Sequence, residues 1–165
     1  MSERVSKTEN PQEKLTAFTL RDATEADLPF LFKVSTEAMK PVHEALHPGE
    51  EFNHETEFLK YRKEFDGKKV QIIQYQGRDV GRLRVERRPD SIYVGGIQIF
   101  PEFQGKGIGT ALFTELVQES EQTNVPITLE VHDVNEGAIN FYKKLGFKES
   151  GKKGNQTVMK FEPNK

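Results

Sequence analysis

Hydrophobic positions alternate with polar ones in the middle of the chain and recur at helical spacing on either side of it. The alternation predicts strands over residues 70–75, 80–87 and 91–100, joined by short turns as in an antiparallel meander. Helical spacing predicts a helix from Thr24 to Met39, a second over 52–65 and a long amphipathic helix over 107–123. Pro41 is expected to stop or kink the first helix, leaving a polar stretch after it.

The same patterns predict further strands and a further helix before and after these elements. Residues 18–20 alternate like a short strand, 126–132 form a strand and 135–145 a helix, with Gly146 where a C-cap glycine belongs. A final pair of strands begins at Phe147 and ends with 157–161. No repeat or interior linker is visible. We therefore predict one α/β domain over residues 16–162, after a flexible polar tail over residues 1–15.

Composition narrows the classes of protein. The 165 residues carry 24 basic and 26 acidic side chains, a net charge of −2 that offers no basic surface for nucleic acid. The chain has no cysteine, which excludes disulfides, thiolate metal sites and a cysteine nucleophile. No apolar run is long enough for a membrane span, and the polar segment Met1–Lys14 lacks a signal-peptide core. We expect a cytoplasmic protein with no nucleic-acid or membrane partner.

A glycine-rich turn lies between the strand at 91–100 and the helix at 107–123. Backbone N–H groups at a helix N-terminus and the helix dipole favour an anion, and glycine lets a phosphate approach the backbone. The spacing of Gly105, Gly107 and Gly109 fits neither the dinucleotide fingerprint nor the P-loop. From the glycines alone, an anion site and a plain strand–helix turn both remain open.

Two motifs resemble the GNAT superfamily of N-acetyltransferases. The acetyl-CoA signature of that superfamily has Gln or Arg, two free positions, Gly, one free position, then Gly or Ala. Gln104, Gly107 and Gly109 fill those places. Downstream, the superfamily has Asn, two free positions, Ala, two free positions, an aromatic-Tyr pair and then Gly-Phe, matched here by Asn135, Ala138, Phe141, Tyr142, Gly146 and Phe147. The order of predicted elements also agrees from about residue 17 to 161.

The resemblance implies a mixed, mostly antiparallel sheet of six to seven strands, with splayed central parallel strands and about four flanking helices. It implies acetyl-CoA as cosubstrate, with its pantetheine arm along the fourth strand and its phosphates at the glycine turn. Asn135 is a pantetheine contact by resemblance, a helix N-cap by its own chemistry, or both. The implied cofactor-binding residues are Ile97, Gln98, Ile99, Gln104, Gly105, Lys106, Gly107, Ile108, Gly109, Thr110, Asn135 and Tyr142.

The implied reaction is direct attack of a primary amine on the thioester. Tyr142 matches the residue that protonates the departing thiolate, although a half-buried aromatic packing residue is the alternative. Glu86 and Glu130 are candidate general bases, and each is alternatively a solvated or ion-paired side chain. Some members of the superfamily carry a catalytic glutamate on the fourth strand, where this chain has Tyr93 and Val94.

The resemblance places the acceptor amine at the first two helices and their linker. Met39, His43 and Glu44 are the candidate substrate-binding residues there. A small-molecule amine is the expected acceptor, while a peptide N-terminus and a protein lysine remain open, as does a homodimer. A non-catalytic acyl-CoA binding or sensing module on the same fold is the alternative function.

The segment from His43 to His47 satisfies the zinc-protease pattern H-E-x-x-H. That pattern needs both imidazoles on one face of a helix. Pro41 precedes the pair and Pro48 follows it, and the residue before a proline is disfavoured in helical geometry. We therefore predict that no long helix carries the pair and assign no metal ligand, while adventitious metal binding by this segment remains open.

Overall fold

Residues 18–65 and 69–164 are described by a computed structural model of the protein. The predicted tail, residues 1–15, lies outside them, and the predicted domain boundaries stay a prediction. In the described part, seven strands form one sheet in the order β1-β2-β3-β4-β5-β7-β6. The strands are β1 Phe18–Asp22, β2 Val70–Tyr75, β3 Arg78–Arg88, β4 Ser91–Ile99, β5 Ile127–His132, β6 Lys148–Lys153 and β7 Gln156–Phe161.

Five α-helices flank the sheet in the described residues: α1 Leu28–Ala38, α2 Lys40–Leu46, α3 His54–Glu64, α4 Ile108–Thr123 and α5 Glu136–Lys144. The predicted fold class, a mixed α/β sheet with splayed parallel strands, is confirmed. No described helix is both long and apolar enough to cross a bilayer.

The helix over Lys40–Leu46 corrects the prediction for the segment after Pro41. Proline stands at the start of this helix rather than at the end of the preceding one. The first turn of a helix tolerates proline because its N–H has no intrahelical partner there. Met39 lies between α1 and α2, with φ −96° and ψ 6°. The chain therefore turns between two helices where the sequence predicted a polar loop.

Each face of the sheet is covered by a different pair of helices. The larger core places Phe113 of α4 and Tyr142 of α5 against strand residues such as Val94 and Leu129. A smaller core on the other face joins Leu31 of α1 to Val70 and Ile72 of β2, with Tyr61 and Phe65 packed beside them. Side chains of a strand point alternately to the two faces of the sheet. The residues directly before and after a strand residue of the larger core therefore point to the α1–α3 face.

The central strands β4 and β5 run parallel and separate partway along their length. Their pairing covers Ile92 to Val94 of β4 and ends opposite Leu129. Gly95 is the extra residue of a β-bulge, because Val94 and Gly96 pair with consecutive residues of β3. Beyond the bulge β4 pairs with β3 alone. The result is an open gap between the ends of β4 and β5.

A backbone contact next to this gap makes Gly81 sensitive to substitution. An ideal Cβ on Gly81 would lie 2.5 Å from the Gln98 carbonyl oxygen, which is backbone and cannot swing away. We expect Gly81→Ala to lower the free energy of unfolding by about 1–3 kcal/mol, the usual cost of overpacking. Urea denaturation measures the change. Gly151→Ala is the control, since its Cβ would meet no atom within 4 Å; equal stability of both variants would contradict the argument.

Candidate active site

The start of α4 presents a row of backbone donors. Gly107 is the N-cap with φ 84°, and Gly105 has φ 78°, both in the left-handed region that favours glycine. The first helical bond of α4 joins Ala111 N–H to Gly107 O at 3.0 Å. The six N–H groups from Gly105 to Thr110 donate no hydrogen bond within the described residues. Six free amides at a helix N-terminus fit a phosphate group.

The Gln104 N–H is not among these free amides. Its N–H already donates to the Pro101 carbonyl at 3.2 Å, so the free amides begin at Gly105 rather than at Gln104. Its side-chain amide donates to the Ile99 carbonyl at 2.8 Å. This contact joins the glycine turn to the end of β4. Gln104 therefore holds the turn in place beside the gap.

The open edge of β4 offers backbone groups to the gap. Phe100 donates its N–H to Val80 of β3 at 3.0 Å. Alternate residues of a strand direct their backbone groups to opposite sides, so Gln98 also faces β3 while Ile97 and Ile99 face the gap. An extended ligand arm lying there would pair with Ile97 and Ile99 as an added strand does.

A cavity of about 560 Å³ runs from this gap to the head of α4. Gly105 leaves the approach open, because a Cβ there would meet no atom within 4 Å. Helices α1 and α2 border the cavity on one side through Met39 and Pro41. Every predicted cofactor-binding residue except Lys106 lines it: Ile97, Gln98, Ile99, Gln104, Gly105, Gly107, Ile108, Gly109, Thr110, Asn135 and Tyr142.

Asn135 and Tyr142 reach this cavity from α5 and its N-terminus. The Asn135 side chain accepts the Ala138 N–H at 3.3 Å, so the N-cap alternative for Asn135 is correct, and the residue also lines the cavity. Tyr142 is buried against Phe113 and Phe147. Its hydroxyl makes no hydrogen bond to the described part of the chain, and burial raises the pKa of Tyr142 to about 12. The phenol therefore keeps its proton at neutral pH.

On the α1–α3 face of the sheet, arginines cover the bulge in β4. The Arg84 guanidinium occupies the space that a Cβ on Gly95 would need, and Arg82 lies beside Gly96. Arg82 donates to the Gln98 side chain, and its Nε is buried without a partner among the described residues. Burial lowers the pKa of Arg82. Positive charge therefore lies one side chain away from the cavity that Gln98 lines.

Glu86 lies on this face in a cluster of cations, outside the cavity. It accepts hydrogen bonds from Arg84 and from Arg88, the latter at 3.0 Å, and Lys69 Nζ is 3.7 Å from its carboxylate. Hydrogen bonds from Arg88 and Arg84 lower the pKa of Glu86. A carboxylate stabilised in this way accepts a proton poorly. The ion-paired alternative for Glu86 is therefore the one realised in the fold.

Glu130 follows the last β5 residue that pairs with β4. Its neighbours Leu129 and Val131 belong to the larger core, so its side chain points to the α1–α3 face. There its carboxylate accepts the Tyr93 hydroxyl at 2.9 Å, with Lys153 Nζ 3.7 Å away. Burial and this bond raise the pKa of Tyr93. Like Glu86, Glu130 does not line the cavity.

Two side chains near Glu130 were not among the predicted site residues. The Arg88 guanidinium lies over the Tyr93 ring, 4.3 Å from its centroid. The Tyr93 hydroxyl is directed toward Glu130. His132 lies on the same face, and its Nδ1 is buried without a partner among the described residues. The alternation of β5 alone places His132 on the same side as Glu130, whereas the contact of Tyr93 with Glu130 required the register of β4 on β5.

A second cavity, of about 750 Å³, lies among α1, α2, α3 and the linker before α3. The predicted substrate residues His43 and Glu44 line it, and Met39 lines both cavities. The rings of His43 and His47 are 5.1 Å apart on α2 and its C-cap. As predicted, no long helix carries this pair, because α2 has only seven residues and His47 lies just past its end as the C-cap. The described residues contain no group of three or more His, Cys, Asp or Glu placed to hold a metal ion.

The fold and the split sheet are those of a family of acetyltransferases. The family model for the acetyltransferase (GNAT) family matches residues 37–147, about two thirds of the chain. The chain belongs to this family.

Curated relatives match the chain over shorter segments. An uncharacterized N-acetyltransferase of Methanocaldococcus jannaschii is 44% identical over 54 residues, which are 32% of this chain and 24% of that protein. The ribosomal protein bS18-alanine N-acetyltransferase of Escherichia coli is 37% identical over 62 residues, 37% of this chain and 42% of that enzyme. The matched segments thus span less than half of either relative.

Solved structures share the fold over most of the chain. Protein PH1933 of Pyrococcus horikoshii superposes with a TM-score of 0.67 at 23% identity, covering 90% of this chain and 99% of that one. The PaiA N-acetyltransferase of Thermoplasma acidophilum, solved in complex with coenzyme A, has a TM-score of 0.65 at 19% identity, covering 88% and 98%. At these identities the likeness shows the fold alone.

Proposed function

We propose that this protein is an N-acetyltransferase that transfers an acetyl group from acetyl-CoA to a primary amine of a small molecule. The observation that carries the proposal is the cavity that joins six free amides at the head of α4 to the Tyr142 hydroxyl. Membership of the GNAT family, relatives named as N-acetyltransferases and a coenzyme A complex of the same fold support it. The cytoplasmic location and a homodimer stay predictions.

Different parts of the cavity would hold different parts of the cosubstrate. The amides from Gly105 to Thr110 would bind the pyrophosphate, and the exposed Lys106 would add positive charge from outside. Ile97 and Ile99 would pair with the amides of the pantetheine arm, and Asn135 would contact that arm from α5. Acetyl-CoA supplies a thioester: its C–S bond breaks as the C–N bond to the amine forms, the amine loses a proton and the thiolate gains one.

Tyr142 is the proposed acid for the departing thiolate. Its hydroxyl has no partner among the described residues, and Tyr142 lines the cavity, so the hydroxyl is free to donate to a ligand there. Since its pKa is about 12, the proton stays on the phenol through the physiological range. A positioned acid that remains protonated at working pH is what the departing thiolate requires.

Glu130 is the proposed base, acting through water on the incoming ammonium. The cations around Glu86 make that residue the weaker candidate. Glu130 lies at the mouth of the gap, beside the last β4–β5 pair, and keeps a hydrogen-bond link to Tyr93. An alkyl ammonium has a pKa near ~10.4 and must lose its proton before it attacks. A carboxylate at the mouth would accept that proton through an intervening water.

Replacing Glu130 with glutamine is expected to slow turnover at neutral pH. We expect kcat/KM to fall about tenfold, below the roughly 10²–10⁴ of a base in direct contact, because water carries the proton. The deficit should shrink as the pH rises toward the pKa of the amine, because free amine then exists in solution. Glu86→Gln is the matched variant and should have the smaller effect. The assignment is wrong if Glu86→Gln lowers kcat/KM more than Glu130→Gln does.

The experiment for the function is thiol release from acetyl-CoA in the presence of a panel of primary amines. We expect free thiol and acetylated amine in equal amounts, with coenzyme A raising the melting temperature. A melting shift with no turnover on any amine would support the non-catalytic acyl-CoA module instead. No shift and no turnover would overturn both functions.

A further inference from the structure

The second cavity has aromatic walls at steep angles to one another. Phe52 and His54 meet at 75° with centroids 4.7 Å apart, and Phe32 and Tyr61 meet at 68° with centroids 5.8 Å apart. All four residues line the cavity. Rings set at steep angles let one ligand group contact more than one π face. Such corners attract cations, because the face of an aromatic ring carries negative charge.

Carboxylates surround these rings in excess over cations. Lys40 and Lys60 are the lysines in the lining, and Lys60 is already 3.5 Å from Glu57. Glu44 and Glu64 are exposed and form no ion pair within the described residues. A ligand in this cavity therefore meets a net negative field beside an aromatic surface. The five carboxylates of the lining belong to Glu37, Glu44, Glu50, Glu57 and Glu64.

The two cavities meet at Met39, and charged side chains line only the second of them. Met39 lines both, and its uncharged flexible side chain suits the methylene spacer of a ligand that reaches from one to the other. Arg82 is a buried cation between the two cavities, because it is bonded to Gln98 and lies next to Tyr61. Positive charge disfavours protonation of a nearby amine, and negative charge favours it. The carboxylates of the second cavity therefore keep an amine charged, whereas the uncharged lining of the cosubstrate cavity does not.

We propose that the second cavity binds a non-reacting ammonium group of the acceptor, so that the substrate class is linear alkyl diamines and polyamines. This inference rests on the proposed function. One nitrogen would remain charged among Phe52, Tyr61 and the carboxylates, while the other would lie past Met39 at the thioester. A volume of about 750 Å³ suits a small organic cation.

The test compares each diamine with the monoamine of equal chain length. We expect diamines of suitable length to have a kcat/KM about tenfold higher, mainly through a lower KM, as one cation–π contact and screened ion pairs would provide. In the double variant Glu44→Gln, Glu64→Gln this ratio should fall toward one. Glu115→Gln, on the exposed side of α4, is the control and should keep the ratio. Phe52→Leu should lower the ratio without removing a charge.

Calorimetric titration of the same diamine into the protein without acetyl-CoA gives a second readout. Binding that weakens in the double glutamine variant but not in Glu115→Gln supports the subsite, even if no amine is turned over. Equal kcat/KM for diamines and monoamines, with normal thiol release, would overturn the subsite and leave the transferase function intact. Diamine binding that is equal in wild type and the double variant would also overturn it.

Discussion

Replacing Tyr142 with phenylalanine is expected to lower kcat by at least about 100-fold, within the roughly 10²–10⁴ range of a positioned acid. The change removes one hydroxyl that has no partner among the described residues and keeps the ring against Phe113 and Phe147. Folding should therefore be unaffected, and the melting temperature and the coenzyme A shift should match wild type. Without the acid, the thiolate leaves unprotonated and the C–S bond breaks more slowly.

The pH dependence of this effect has a defined sign. Burial raises the pKa of Tyr142 to about 12, so the neutral phenol persists well above the pH where an exposed tyrosine ionises. Any alkaline loss of wild-type activity below about pH 10 thus belongs to another group. Tyr75→Phe is the matched control, because that ring contacts Phe103 but does not line the cavity. If Tyr142→Phe keeps the wild-type kcat, Tyr142 is a packing residue and does not act as the acid.

The central meander was predictable because each strand buries one face against a core. Leu83 and Ile92 are buried while their neighbours Arg84 and Tyr93 are partly exposed, which is the alternation seen in the sequence. The hairpin between β2 and β3 turns at Gln76-Gly77, both with positive φ, a turn that the Gln-Gly pair indicates. Local chemistry was sufficient for these elements.

Features that depend on contacts between distant segments were not predictable. The Tyr93–Glu130 bond depends on where the parallel pairing of β4 and β5 stops. Strand alternation already places Arg84 and Arg88 beside Glu86, but the approach of Lys69 to this carboxylate required the fold. The helix at Lys40–Leu46 was missed because Pro41 signals a helix start as readily as a helix end. The aromatic cavity joins rings from α1, α3 and a linker, and no local pattern marks it.

The glycine turn shows how local and distant information combine. Positive φ at Gly105 and Gly107 was expected from the glycines themselves. The fold was needed to show that Gln104 donates its N–H to Pro101 and its side-chain amide to Ile99. The fold therefore narrows the predicted phosphate site to six backbone amides and connects that site to the open edge of β4. A substitution cannot remove backbone amides, so a test must instead place a negative charge beside them.

Thr110→Asp is expected to weaken coenzyme A binding about 100-fold, because like charges about 4 Å apart at a partly buried site repel by roughly 1–4 kcal/mol. Thr110 is the third residue of α4, exposed and in the cavity wall. An aspartate in the first turn of a helix also stabilises that helix, by about 0.3–1 kcal/mol. The variant should therefore melt at or above the wild-type temperature while losing coenzyme A.

Opposite changes in stability and binding separate a lost site from a lost fold. Titration calorimetry with coenzyme A measures the affinity, and a thermal melt of the free protein measures the stability. Thr114→Asp is the control: it adds the same charge one turn later, where the side chain is exposed and does not line the cavity. Its coenzyme A affinity should stay near that of wild type. If Thr110→Asp also binds normally, the pyrophosphate does not lie at the head of α4, because a carboxylate among those amides would take its place.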